Sequence, residues 1–306
     1  MRAAVLFGLG SYEKQFKLFQ KESHVTWLRG MPVSSTDADA ILIFGGDGTV
    51  HRHLPELVRL QIPVLVVPCG SGNDFARALN VRKLKDSGEA WHRFVSHDEN
   101  GRRIDLGLIT PLGKTGAGEA STPRLFCCVA GVGLDVEVAK RANRLPRWLR
   151  AHGGYVISLA PLLFHFAPIR MKILAQQPSA QWAERSSGPT LLAAFANTPS
   201  YGGRIRIAPN ARLDDGQLDA CVITQVDDFK RFCLFPTVYF GRHLRVPEVH
   251  YFQGDRVRLE SETPLEVYAD GEYVCHTPIE VAVQLDALPV IVSQGSAVLN
   301  YIGHHG

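Results

Sequence analysis

Gly45-Gly46-Asp47-Gly48-Thr49 sets three glycines, a carboxylate and a hydroxyl directly after the apolar run Ile41–Phe44. Glycines at a strand end let backbone N–H groups approach phosphate oxygens, and a following helix adds the positive end of its dipole. Asp47 would suit Mg2+ held on those phosphates, directly or through water, and Thr49 a hydrogen bond to one of their oxygens. Asp-Gly is also a common turn dipeptide, so a plain strand-to-helix turn is the competing reading. A second such place is Gly70-Ser71-Gly72, between the apolar run Ile62–Pro68 and a helix start capped by Asn73 or Asp74. Two glycine-bearing loops on consecutive parallel strands would flank one polyphosphate.

Other carboxylates are less telling by themselves. Asp270-Gly271-Glu272 reads alone as the turn of a hairpin. Asp214-Asp215-Gly216 reads alone as a solvated turn. Ala139–His152 places Lys140, Arg141, Arg144, Arg147 and Arg150 around Leu145, Trp148 and Leu149. That mixture suits anionic lipid headgroups, and it equally suits a solvated basic helix face broken at Pro146.

The elements that must position these residues come in two textures. Up to about residue 100, strands at Ala3–Phe7, His24–Leu28, Ala38–Phe44 and Ile62–Pro68 are separated by helical patterns. The helices are expected at Ser11–Ser23, Val50–Leu60 and from Asn73. This alternation predicts a parallel sheet covered on both faces. Beyond it, strand-like runs that often alternate apolar and polar residues predict antiparallel strands. One helical interruption is expected over Val136–Phe166, and Thr110–Pro123, rich in Gly, Ser, Thr and Pro, is expected as an exposed loop.

Composition bounds the rest. The 306 residues suffice for two domains, and 45% hydrophobic with 21% charged residues is an ordinary globular balance. A net charge of +3 gives no argument for nucleic acid. Six cysteines lack C-x-x-C spacing and read as reduced thiols of a cytosolic protein. Tyr155–Pro168, the longest apolar stretch, holds two prolines and a histidine and is too short to span a bilayer. The first residues carry too short an apolar run for a signal peptide.

Taken in order, these motifs resemble the catalytic domain of the diacylglycerol kinase family, which includes bacterial lipid kinases and the sphingosine and ceramide kinases. The matching blocks are GGDGT, then P-C-G-S-G-N-D-F-A, then Ile104–Gly107. They continue with the F-x-x-x-x-G-x-G-x-D segment of Phe126–Val138, with Ala196–Asp219, and with Asp270–Glu272. The resemblance implies an α/β nucleotide-binding domain like that of NAD kinases and phosphofructokinases, over 1–130 and completed by the tail 294–306. An antiparallel β-sandwich over 131–293 would bind the lipid. It implies ATP- and Mg2+-dependent phosphorylation of a lipid hydroxyl, diacylglycerol-like or sphingoid-like, in a cleft between the domains. Asp270 would be the general base. Thr26, at the end of the second strand, would join Gly45, Gly46, Asp47, Gly48, Thr49, Val50, His51, Gly70 and Ser71 as nucleotide residues. Asp215, with the carbonyls of Arg212 and Gln217, would hold a structural Mg2+. Apolar positions of Tyr155–Phe166 are expected to line the acyl pocket.

Two departures stand out. Val50-His51-Arg52 follows GGDGT where the family has a hydrophobic residue and Asn-Glu, and the first loop reads Phe7-Gly8-Leu9-Gly10-Ser11 in place of N-P-x-x-G. They favour, as one alternative, a catalytically inactive nucleotide- or lipid-binding homologue; a kinase of a non-lipid acceptor such as NAD is another alternative, against which the β-rich second half and Asp270-Gly271-Glu272 argue. Gly8-x-Gly10 lacks the full spacing of a dinucleotide fingerprint. The expected partners are ATP, a lipid alcohol and a transient membrane surface, with no nucleic acid. Exposed edge strands leave a homodimer open. The expected place is the cytoplasm, peripheral at the inner membrane surface.

Overall fold

The computed structural model describes residues 1–9, 12–21, 24–113, 122–145, 158, 161–162 and 166–298. The chain divides into two compact units, Met1–Leu106 with Arg212–Asp215 and Leu285–Gly306, and Gly107–Ala211 with Gly216–Gln284. The first carries a parallel sheet with strand order β4-β3-β1-β2, built from β1 (Arg2–Phe7), β2 (Thr26–Arg29), β3 (Ala40–Gly45) and β4 (Val64–Pro68). Every residue of β3 is buried, as expected of a parallel strand covered on both faces. Helices α2 (Asp47–Leu60), α3 (Asp74–Ala78) and α4 (Leu84–Val95) follow α1 (Glu13–Phe16) in this unit.

The first helix is one turn long, where the sequence predicts Ser11–Ser23. After it the N–H groups of Leu18 and Phe19 bond three residues back, to Gln15 and Phe16. This tighter winding seats both Phe16 and Phe19 on the Phe44 ring, at 5.8 and 5.2 Å between centroids. α2, by contrast, begins three residues earlier than predicted, so Asp47, Gly48 and Thr49 belong to its first turn.

The second unit is antiparallel. It comprises β6 (Arg124–Phe126), β7 (Val129–Gly133), α5 (Leu134–Arg144), β8 (Ile169–Gln176), β9 (Trp182–Ala196), β10 (Leu218–Thr224), α6 (Asp228–Tyr239), β11 (Val249–Gly254), β12 (Arg256–Ser261), β13 (Glu266–Ala269) and β14 (Glu272–His276). β9 is the spine, pairing with β7, β8 and β10. Alternation along β8 buries Met171, Ile173 and Ala175, the first two in one apolar core with Val257 and Leu259 of β12. Two long strands, β5 (Gly101–Pro111) and β15 (Ile279–Ile291), each begin in one unit and end in the other.

α6 and β11 are absent from the sequence expectations. α6 sets exposed Phe229 and Phe232 against buried Leu234 and Val238 and carries Pro236 inside it, which hides the helical period. Asp227 supplies its cap, accepting the Lys230 N–H at 2.8 Å. Most of the segment expected to line the acyl pocket, Tyr155–Phe166, lies outside the described residues, as do 114–121 of the expected loop and 299–306 of the tail. Among the described residues no helix is long and apolar enough to cross a membrane.

Gly107 faces Phe126 across the β5–β6 pair, and a Cβ on it would stand 2.0 Å from a ring carbon of that fully buried phenylalanine. Gly107→Ala is therefore expected to cost about 1–3 kcal/mol by overpacking, read as a lower urea midpoint. An unchanged midpoint would mean that the Phe126 ring does not rest on this glycine.

Candidate functional site

The two glycine loops of the first unit meet directly. Cys69 extends the β3–β4 pairing by donating its N–H to the Gly45 carbonyl at 2.9 Å. A Cβ on Gly70 would lie 2.5 Å from the Gly46 Cα, and one on Gly46 would lie 2.9 Å from the Gly70 Cα. Only hydrogen at both positions permits this approach. Asn73, in the left-handed region at φ 55, locks the second loop by accepting the Gly70 N–H at 2.8 Å and donating to the Gly70 carbonyl at 2.7 Å. That side chain is thus turned away from α3. The first amides of α3, from Asp74 and Phe75, donate instead to the Asp47 carboxylate, at 3.1 and 3.0 Å. Asp47 is therefore a cap across the two loops, with those lone pairs already engaged.

Thr49 packs into the floor of the site. Its Oγ1 would stand 2.6 Å from a Cβ on Gly8 and 2.5 Å from one on Gly45. Gly48 faces open space, and Gly70 and Ser71 are exposed. Val50 is fully buried and its N–H reaches the Gly46 carbonyl at 3.3 Å, so its side chain belongs to the core; His51 is half-buried on the next position of α2. The fourteen-residue α2 thus begins at Gly46 with its positive end at these glycines.

Thr26 stands elsewhere. It opens β2 rather than ending it, in register with Arg2, and donates its N–H to the Met1 carbonyl at 2.9 Å. This is the amino edge of the sheet, roughly 17 Å of strand from the carboxyl edge where the glycines lie. At that carboxyl edge β2 presents Arg29, paired with Glu13 at 2.6 Å.

Asp270 occupies the turn between β13 and β14, at φ 51 with Gly271 at φ 87. Asp270 and Gly271 are both left-handed, the geometry that Asp-Gly suits. The carboxylate is heavily engaged. One oxygen accepts the Cys128 and Val129 N–H groups at 2.8 and 3.2 Å, the other the Cys127 N–H at 2.8 Å and the Cys127 thiol at 3.3 Å. Of these donors the thiol is the weakest.

Asp215 is exposed just before Gly216, whose φ is 70. The segment is tied down by neighbours in its own unit: the Asp105 N–H donates to the Leu213 carbonyl at 2.6 Å, and Arg212 reaches Asp214 at 3.2 Å and the Ala297 carbonyl at 3.3 Å. Gln217 follows, one residue before β10. In the basic stretch, Arg141 and Arg144 are exposed, but Lys140 pairs with Glu137 at 2.9 Å and with Glu266. Pro146–His152, with Trp148, Leu149, Arg147 and Arg150, lie outside the described residues.

Sequence reasoning missed one site. Asp135, at the end of the glycine segment, is buried and accepts the Tyr201 hydroxyl at 2.6 Å. Burial pushes its carboxyl up to about 6 against the opposing pull of that hydrogen bond. The signal was Gly131 in β7, where a Cβ would lie 2.1 Å from the Asp135 carboxylate. Asp135 and Tyr201 sit on the wall of a mainly apolar cavity of about 50 Å3, which Arg231, Leu234 and Val238 of α6 line as well.

The diacylglycerol kinase catalytic domain matches residues 11–109. The YegS C-terminal NAD kinase beta sandwich-like domain matches residues 128–292. A diacylglycerol kinase of Mycobacterium tuberculosis is 32% identical over 253 residues, covering 83% of this chain and 76% of its own. A diacylglycerol kinase of Bacillus subtilis is 25% identical over 239 residues, covering 77% and 71%. Among solved structures, a diacylglycerol kinase from Bacillus anthracis superposes with a TM-score of 0.66 at 19% identity, over 97% of this chain and 98% of that one. An NAD kinase from Archaeoglobus fulgidus, in complex with ATP, gives 0.54 at 14% identity, over 97% and 95%. These two likenesses confirm the expected architecture, a parallel α/β unit and a β-sandwich.

The raised Asp135 carboxyl makes stability depend on pH. The folded chain holds this proton more tightly than the unfolded chain, whose ordinary value is 3.8. The contribution is complete below that value and is lost as pH rises through about 6. Between about pH 4 and pH 6.5, wild type should lose on the order of 2–3 kcal/mol relative to Asp135→Asn. Urea midpoints of both proteins across that range check this, and parallel curves would refute it.

Proposed function

Because this chain belongs to the diacylglycerol kinase family, as a lipid kinase, we propose that it transfers the γ-phosphoryl group of ATP to a lipid hydroxyl in a Mg2+-dependent reaction. The observation that carries this reading is the contact of the Gly46 and Gly70 loops at the carboxyl ends of adjacent parallel strands, with the amino end of α2 beside them. Bare backbone, a helix dipole and a small hydroxyl are what a polyphosphate needs. In this reading Gly45, Gly46, Gly48, Gly70 and Ser71 offer backbone to the phosphates. Asp47 holds the two loops at their spacing, and Thr49 and His51 border the nucleotide.

Asp270 would accept the proton. The lipid hydroxyl oxygen forms a bond to the γ-phosphorus while the bond from that phosphorus to the β–γ bridging oxygen breaks, and ADP leaves. The hydroxyl proton passes to an Asp270 oxygen. Three main-chain donors fix that carboxylate, and the Cys127 thiol fills the place that a substrate hydroxyl would take. A weak S–H donor is the one of the four most readily displaced. Phosphoryl transfer asks for orientation more than for a strong base, so a held carboxylate suits it.

Arg212, Asp215 and Gln217 fit a hard cation by the chemistry of their donors: the exposed Asp215 carboxylate precedes the left-handed Gly216, and the main-chain carbonyls of Arg212 and Gln217 would add further oxygens. Those residues would hold Mg2+ through oxygen alone. When bound at the phosphates, Mg2+ supplies neutralisation of their charge.

Formation of ADP by the pure protein is to be followed with Mg2+ and detergent-dispersed lipids. A lipid-dependent rate is expected that falls by about 10^2–10^4 in Asp270→Asn, with ATP binding retained. Chelation with EDTA should abolish it. Gly70→Ala, which thrusts a methyl into Gly46, should lose ATP binding itself. A full rate in Asp270→Asn would reduce Asp270 to an anchor of its turn.

A further inference from the structure

α6 has two apolar faces and only one of them is used inside the second unit. Arg231, Leu234 and Val238 point inward and line the cavity that Asp135 and Tyr201 border. On the opposite side Phe229 is 78% and Phe240 62% exposed, and Cys233 and Pro236 between them are exposed as well. Positions 229, 233, 236 and 240 recur at three and four residues, so they form one continuous stripe along the helix. Phe232, on its flank, is 58% exposed.

Charge surrounds one end of this stripe. Arg242 and Arg245 are exposed immediately after Phe240. Gly241, at φ 69, lies against Arg206: its Cβ would be 3.4 Å from that of Arg206, which is exposed too. At the other end the cap carboxylate of Asp227 is engaged by the Lys230 amide, and the Lys230 ammonium by Glu248 at 2.7 Å. Exposed aromatic rings beside arginines are the composition of a segment lying at a phospholipid headgroup boundary, rings toward the acyl chains and guanidinium groups on phosphate.

We propose that the outer face of α6, through Phe229 and Phe240 and the arginines 206, 242 and 245, docks this protein on an anionic phospholipid bilayer. This rests on the lipid-kinase reading for its purpose, since a lipid alcohol would be met in such a bilayer. Within Ala139–His152, by comparison, Lys140 is already paired with glutamates.

The full-length protein is to be mixed with vesicles of phosphatidylcholine, with and without phosphatidylglycerol, and bound protein separated by sedimentation. Phe229→Ser/Phe240→Ser should weaken binding to the phosphatidylglycerol vesicles by on the order of tenfold or more. Arg242→Gln/Arg245→Gln should erase most of the preference for phosphatidylglycerol. All four positions are exposed, so melting temperatures should match wild type, and the arginine pair still tests the surface if the phenylalanine pair folds poorly. ADP formation on detergent-dispersed lipid should be unchanged in both. Vesicle binding unchanged in both variants overturns the proposal. Conversion of a wild-type dimer to monomer by the phenylalanine pair, with vesicle binding intact, assigns the face to a second copy and also overturns it. If wild type phosphorylates no lipid while vesicle binding still responds to the substitutions, the kinase reading fails and the docking surface stands.

Discussion

Two α-carbons with nothing but hydrogen between them define the first unit's working edge. Gly46 and Gly70 can touch because neither carries a side chain, and the Asp47 carboxylate keeps them together by capping α3 from the neighbouring loop. The rest follows from that contact. β3 and β4 must be adjacent and parallel, Asn73 must take a left-handed conformation to turn its loop back, and α2 must start at once after Gly46. The Asp47 carboxylate thereby positions the backbone of the neighbouring loop.

The second unit solves a comparable problem with a carboxylate as the held party. Asp270 is fixed by the amides of three successive residues, Cys127 to Val129, that lead into β7, while its own N–H goes to the Val129 carbonyl. The turn and the strand start are thus a single hydrogen-bonded unit.

What the sequence revealed depended on how local each feature is. β3 and β4 were legible because a parallel strand buried on both faces reads as an unbroken apolar run. The glycine loops were legible as loops, yet their contact was not, since a distance between residues 46 and 70 has no signature in either segment. Thr26 was placed at the wrong end of β2 because HVTWL looks the same in either phase; the pairing of Arg2 with Thr26 decides it. Asp135 and Tyr201 are separated by the whole of β8 and β9, so no window joins them. α6 escaped notice because its two apolar faces cancel the periodicity that identifies a helix, and that same property leaves phenylalanines on its surface.

β5 and β15 give the chain an unusual genealogy as an object to be cut. The boundary between the units is crossed after Leu106, Ala211, Asp215 and Gln284, and at the first and last of these the crossing falls inside a strand. Neither unit is therefore a contiguous stretch of gene. A fragment ending at Leu106 lacks Leu285–Ile291, whose Val290 pairs with Val64 at the edge of β4, and it exposes that edge to other chains. An internal fragment beginning at Gly107 starts halfway along β5. Truncations meant to isolate a nucleotide half or a lipid half would produce open sheets rather than domains, so each half is best dissected by point substitution in the intact chain.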